Sequence, residues 1–125
     1  MRKSILTLLL LLMSSLAWAE SPAVENHWRI EVSGNAQSAG ELVIAVAAKN
    51  APATNVSVAV ADNTSENDVA AAIANALAMK LFTTYKVEHE DGEDIVLKAR
   101  MGEPKFSVVL VSNTVEGVRI GLDEE

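Results

Sequence analysis

From Trp28 onward the chain alternates between apolar and polar side chains. Trp28, Ile30 and Val32 are separated by Arg29, Glu31 and Ser33, the pattern of a strand with one buried face. Gly34 to Gly40 is a polar loop bounded by glycines. A second strand, Glu41 to Ala48, puts Leu42, Ile44 and Val46 on one face and Val43, Ala45 and Ala47 on the other. Pro52, within Asn50 to Thr54, interrupts it. A third strand, Asn55 to Ala61, alternates Val56, Val58 and Val60 with Ser57, Ala59 and Ala61. Strands two and three are expected to form a hairpin.

At Asp62 the period changes. Val69, Ile73, Leu77 and Leu81 recur at every fourth position among alanines, which places them on one face of a helix. Ser65 followed three residues later by Asp68 has the form of a capping box, and Glu66 and Asp68 favour the positive helix start. The helix is expected over Ser65 to Phe82. Tyr85 to His89 and Glu93 to Arg100 form the next hairpin. A three-residue Glu90-Asp91-Gly92 loop pairs Val87 with Ile95 and Tyr85 with Leu97, which keeps the apolar set together. A two-residue Asp91-Gly92 turn shifts the pairing by one and turns that set over. Phe106 to Ser112 is a strand apolar on both faces, and Val118 to Leu122 is a last short one. The order βββ-α-ββββ predicts an α+β fold with one helix on a mostly antiparallel sheet.

The first residues follow a different pattern. Arg2 and Lys3 precede an apolar run from Ile5 to Met13, and Ala17-Trp18-Ala19 supplies small residues two apart, the three parts of a signal peptide. The run is shorter than the roughly 18 to 20 residues of a spanning helix, so cleavage after Ala19 is expected, with no stable membrane anchor afterwards. The expected organisation is a signal peptide at 1–19, a flexible lead at 20–27, one domain at 28–122 and an acidic tail at 123–125. The product is expected to be periplasmic or secreted.

Composition narrows the partners. Losing Arg2 and Lys3 from ten cations leaves eight against 17 acids, a formal charge of −9 on 106 residues. Nucleic acid is therefore not an expected partner. The chain has no cysteine, which excludes a lipid-modified lipoprotein and leaves stability to packing and backbone pairing. Two histidines without cysteine make a zinc site improbable. No Gly-x-Ser-x-Gly elbow or glycine-rich phosphate loop is present, so neither an enzyme nor a cofactor is expected. The densest polar cluster, Glu88, Glu90, Asp91, Glu93 and Asp94 with His89 facing Glu93, reads as a solvated hairpin tip, with a calcium site as the minor alternative.

Trp28 to about Arg100 carries Val32-Ser33-Gly34, Ser38-Ala39-Gly40-Glu41-Leu42, Val56-Ser57-Val58-Ala59-Val60, Asp68-Val69-Ala70-Ala71-Ala72-Ile73-Ala74 and Val96-Leu97-Lys98-Ala99-Arg100. This stretch resembles a strand-strand-helix-strand-strand module of tail sheath and related tail proteins of contractile bacteriophages. The resemblance covers about two thirds of the mature chain and implies a fold and a use in assembly, without an activity. Phage tail proteins assemble in the cytoplasm, so the leader departs from that family.

Val43, Ala45, Ala47, Ala59 and Ala61 form a small, apolar second face on the central hairpin, a candidate interface for a protein partner or self-association. The expected function is an exported, non-enzymatic binding or assembly module acting through a sheet face or edge. The alternative is a small acidic inhibitor or accessory protein that meets a basic partner through the 88–94 tip.

Overall fold

A computed structural model describes residues 22–125. The expected signal peptide lies outside these residues. Among those described, seven strands and one helix follow the expected order: β1 (His27–Ser33), β2 (Gly40–Ala48), β3 (Thr54–Val60), α1 (Glu66–Leu81), β4 (Tyr85–Glu90), β5 (Asp94–Ala99), β6 (Phe106–Asn113) and β7 (Arg119–Glu124). The fold is α+β, and its strands divide into two antiparallel sheets, β4-β5-β1-β7 and β3-β2-β6.

Each sheet turns one side inward. Trp28, Ile30, Val32, Ile95 and Leu97 from the first sheet meet Leu42, Ile44, Val46, Val56, Val58, Phe106 and Val108 from the second in one core. The helix fills the open side, packing against β3 on one flank and β4 on the other. Its buried stripe is Val69, Ala70, Ile73, Ala74, Leu77 and Leu81, the face drawn by the fourfold spacing. On the opposite side the sheets are tied together: the Trp28 indole donates to the carbonyl of Phe106 at 2.9 Å. The Phe106 and Tyr85 rings meet at 4.6 Å between centroids, tilted by 55°.

The helix start is held by its own cap and by the β1–β2 loop. Ser65 Oγ accepts from the amide of Asp68 at 3.2 Å, the capping bond expected from the sequence. Glu66 works outside a capping box: its Oε1 accepts from the amide of Gly34 at 2.7 Å, and its own amide donates to Asn35 Oδ1 at 2.9 Å. The β1–β2 loop thus closes over the helix end. Gly34 adopts φ +89, and an added Cβ there would overlap the carbonyl oxygen of Gly117.

Three expectations need correction. The β4–β5 ladder pairs Val87 with Leu97 and Tyr85 with Ala99, and Glu90 faces Asp94. The loop is Asp91-Gly92-Glu93, with Asp91 at φ 49 and Gly92 at φ 77. The register lies two residues from the expected one, and a slip of two preserves the faces, so hydrophobic alternation could not separate them. His89 faces Ile95 instead of Glu93, and its Nε2 lies 2.6 Å from the carbonyl of Gly92. Finally, the residues read as an acidic tail continue β7 as far as Glu124, opposite Trp28 and Arg29 of β1.

Candidate interaction surface

The two sheets present outer faces of opposite character. On the four-stranded sheet, the outward positions of β1, Arg29 and Glu31, alternate with buried Trp28, Ile30 and Val32. Val96 of β5 lies opposite Arg29 and Glu88. Ion pairs lace this face. Arg29 reaches Glu125 at 2.9 Å, Asp94 at 3.0 Å and Glu90 at 3.5 Å, while Glu88 accepts from Lys98 at 3.1 Å and Lys86 at 3.2 Å. The hydrogen bonds from Lys98 and Lys86 hold the Glu88 carboxyl below its ordinary range, and Arg29 does the same for Glu125.

The acidic residues read as one hairpin tip therefore separate into two groups. Glu88, Glu90 and Asp94 belong to strands and are paired with cations, and only Asp91 and Glu93 sit in the loop. Among the described residues no three His, Asp or Glu side chains are grouped as a metal site.

On the three-stranded sheet, Val43, Ala45 and Ala47 point away from the core, as their alternation with buried Leu42, Ile44 and Val46 requires. Their neighbours across the ladders are Ser57 and Asn55 on β3 and Ser112, Val109 and Ser107 on β6. Ala59 shares the face, opposite Glu41. Ala61 lies beyond the end of β3, exposed, and leaves the group. The β2–β6 register shifts between Val43 and Ile44, which leaves Val111 as an extra, bulged residue 54% exposed. Between Val43 and Ala47 the face carries no charge.

The lead to β1 covers one corner of this face. Glu25 and Phe106 exchange backbone hydrogen bonds at 2.8 and 2.9 Å, and Pro22 and Val24 lie around a cleft with Ala47 and Ser107. Ser107 is buried there. Val43, Ala45, Val109 and Val111 remain uncovered to varying degrees.

The edges repeat the contrast. β4 carries Lys86, Glu88 and Glu90, and β7 carries Arg119, Asp123 and Glu124, the charges that normally discourage strand addition. β3 and β6 carry none. A shallow groove beside β3 is lined by Asn55, Val56, Ser57, Ala76, Met79 and Lys80.

Alternation identified Val43, Ala45, Ala47 and Ala59. It missed Val109 and Val111, because the pairing of β6 with β2 joins segments some 60 residues apart in the chain. The two-sided apolar pattern of Phe106 to Ser112 was the available signal. No protein-family model matches the chain, and no curated protein matches it in sequence.

Proposed function

We propose that the chain is an exported, non-enzymatic binding or assembly module acting through the outer face of β3-β2-β6 or its β3 edge. The observation that carries this reading is the contrast between the faces. Residues 20–125 carry a formal charge of −9, yet among the described residues the ion pairs concentrate on one sheet and the other shows small, uncharged side chains between Val43 and Ala47. Such a surface gains by being covered with another chain, and an uncharged edge is open to strand addition. The resemblance of Trp28 to Arg100 to phage-tail modules points the same way. The signal-peptide pattern at residues 1–19 supports placing the protein in the periplasm or outside the cell.

The acidic-tip reading has less support, since Arg29, Lys86 and Lys98 engage three of its five acids. The test is recovery of the tagged mature chain from its native envelope. The wild type is expected to retain a partner or a second copy, Ala45→Arg to lose it, and the double variant Asp91→Asn, Glu93→Gln to keep it. Unchanged recovery by Ala45→Arg would overturn the proposal.

A further inference from the structure

Pairing within the three-stranded sheet fixes which way the backbone of its β3 edge faces. The amide of Lys49 donates to the carbonyl of Lys105, and the amide of Phe106 donates to the carbonyl of Glu25 on the far side of β6. Ala48 and Phe106, which lie opposite each other, therefore turn their own N–H and C=O groups apart. By alternation along β2, Val46, Ile44 and Leu42 direct theirs to β3, where they meet Thr54, Val56 and Val58. Asn55, Ser57 and Ala59 are left with outward-facing N–H and C=O groups. Among the described residues β3 has no neighbour on that side, and none of the three has another backbone partner.

The other edges are less available to a guest. Glu25 already takes the outward groups of Phe106 on β6, and β4 and β7 carry charges. β3 is uncharged, lacks proline and pairs with β2 without a register shift.

The helix runs beside this edge. Asn55, Val56 and Ser57 form one wall of the groove, and Ala76, Met79 and Lys80 form the other. Met79 is 80% exposed. A strand added to β3 lies between these walls. Its residues opposite Asn55, Ser57 and Ala59 make the backbone bonds and keep their side chains on the outer face. Those opposite Val56 and Val58 point into the groove, toward Ala76 and Met79.

The charges around the groove give the guest a direction. Lys80 stands at the Asn55 end, and Lys49 sits in the adjoining β2–β3 connection. Glu103 lines the next cleft with Lys80 and tempers its charge, but Lys80 makes no ion pair among the described residues. Toward Val60 the exposed charges are acidic: Glu41 opposite Ala59, Asp62 in the connection and Asp68 in the first turn of α1. A guest antiparallel to β3 starts at the acidic end and finishes beside Lys80.

We propose that β3 and α1 clamp an extended peptide segment of another protein, antiparallel to β3, with apolar side chains at alternate positions, a basic residue at its start and an acidic one at its end. This rests on the reading of the chain as a binding module and narrows its β3 edge to one kind of guest. Main-chain bonds hold such a guest, and the side chains entering the groove select it. A second copy of β3 fits less well, because that strand has no charged side chain for either end and brings a domain of like charge.

The test is titration of residues 20–125 with the peptide Lys-Val-Thr-Val-Thr-Glu, followed by backbone amide shifts in the NMR spectrum. Saturable shifts are expected at Asn55, Ser57, Ala59 and Met79, and not at Lys86 on the opposite sheet. N-methylation of the two threonines removes donors that face β3 and is expected to weaken binding roughly tenfold or more; N-methylation of the two valines is expected to leave it within about twofold. Exchanging the peptide's lysine and glutamate is expected to weaken binding by about threefold, and Lys80→Glu to favour the exchanged peptide. Ser57→Pro removes an outward N–H that the β2 ladder does not use, so it is expected to abolish binding while circular dichroism stays that of the wild type. Absence of saturable shifts along β3, equal losses from both methylated peptides, or indifference to the charge exchange would each overturn the proposal. Loss of a native partner by Ala45→Arg would not rescue it, so the edge proposal and the outer-face reading fail separately.

Discussion

The guanidinium of Arg29 and the side-chain carboxylate of Glu125 meet at 2.9 Å across 96 residues of sequence. The amide of Glu125 also donates to the carbonyl of His27 at 3.0 Å. Glu125, just after β7, is thereby fastened to the first strand, and the same guanidinium holds Asp94 of β5 and Glu90 of β4. One side chain on β1 thus ties β4, β5 and the residue that follows β7.

This arrangement predicts an acid-sensitive contribution to stability. Glu125 and Glu88 have folded-state pKa values below their ordinary range, because Arg29 bonds the first and Lys98 and Lys86 the second. Stabilisation from a lowered carboxylate is complete above its unfolded pKa and disappears as pH falls through the folded one. Thermal melts from pH 3 to 7 are expected to show Arg29→Ala below the wild type at neutral pH, with the gap closing in acid. A constant gap would mean that Arg29 acts through packing alone.

At the alkaline side the sign reverses. Burial pushes the Tyr85 hydroxyl upward, and the charge of Glu103 adds to this. The unfolded tyrosine ionises first as pH rises, so stability is expected to fall above pH 10, approximately. Tyr85 is the only tyrosine in the chain, which lets its phenolate absorbance be followed directly. The folded protein is expected to titrate above free tyrosine, and Tyr85→Phe to flatten the alkaline decline in stability.

Closure of the helix start predicts two unequal losses. Ser65→Ala removes the capping acceptor and is expected to cost about 1 kcal/mol. Gly34→Ala is expected to cost more, because a positive φ strains a side chain by about 1–3 kcal/mol and the new methyl would overlap the backbone of Gly117. Urea midpoints of the two variants test this order, and a Gly34→Ala protein as stable as Ser65→Ala would contradict the geometry.

Local periodicity made much of this fold legible. Val69, Ile73, Leu77 and Leu81 lie on the buried side of α1, and Trp28, Ile30 and Val32 on the buried side of β1. The division into two sheets was not legible, because it depends on β6 joining β2 and β7 joining β1, pairings between segments distant in sequence. The β4–β5 register escaped because its two candidate alignments of equal parity bury the same side chains. Within the candidate surface, Ala45 and Ala47 were visible from alternation with Ile44 and Val46. The role of Arg29 was not, since its partners Glu90, Asp94 and Glu125 come from three different strands or ends. A polar residue in an alternating strand shows which way it points, but its partners depend on the completed sheet.

The central claim is that the outer face of β3-β2-β6, without charge between Val43 and Ala47, meets another protein chain. It is tested most directly by placing a photo-activated crosslinker at Ala45 or Val109 in the protein expressed in its native host, with Lys86 on the opposite sheet as the control. A discrete adduct, with a second copy or with another protein, is expected from Ala45 and Val109 and not from Lys86; adducts no different from those at Lys86 would contradict the account.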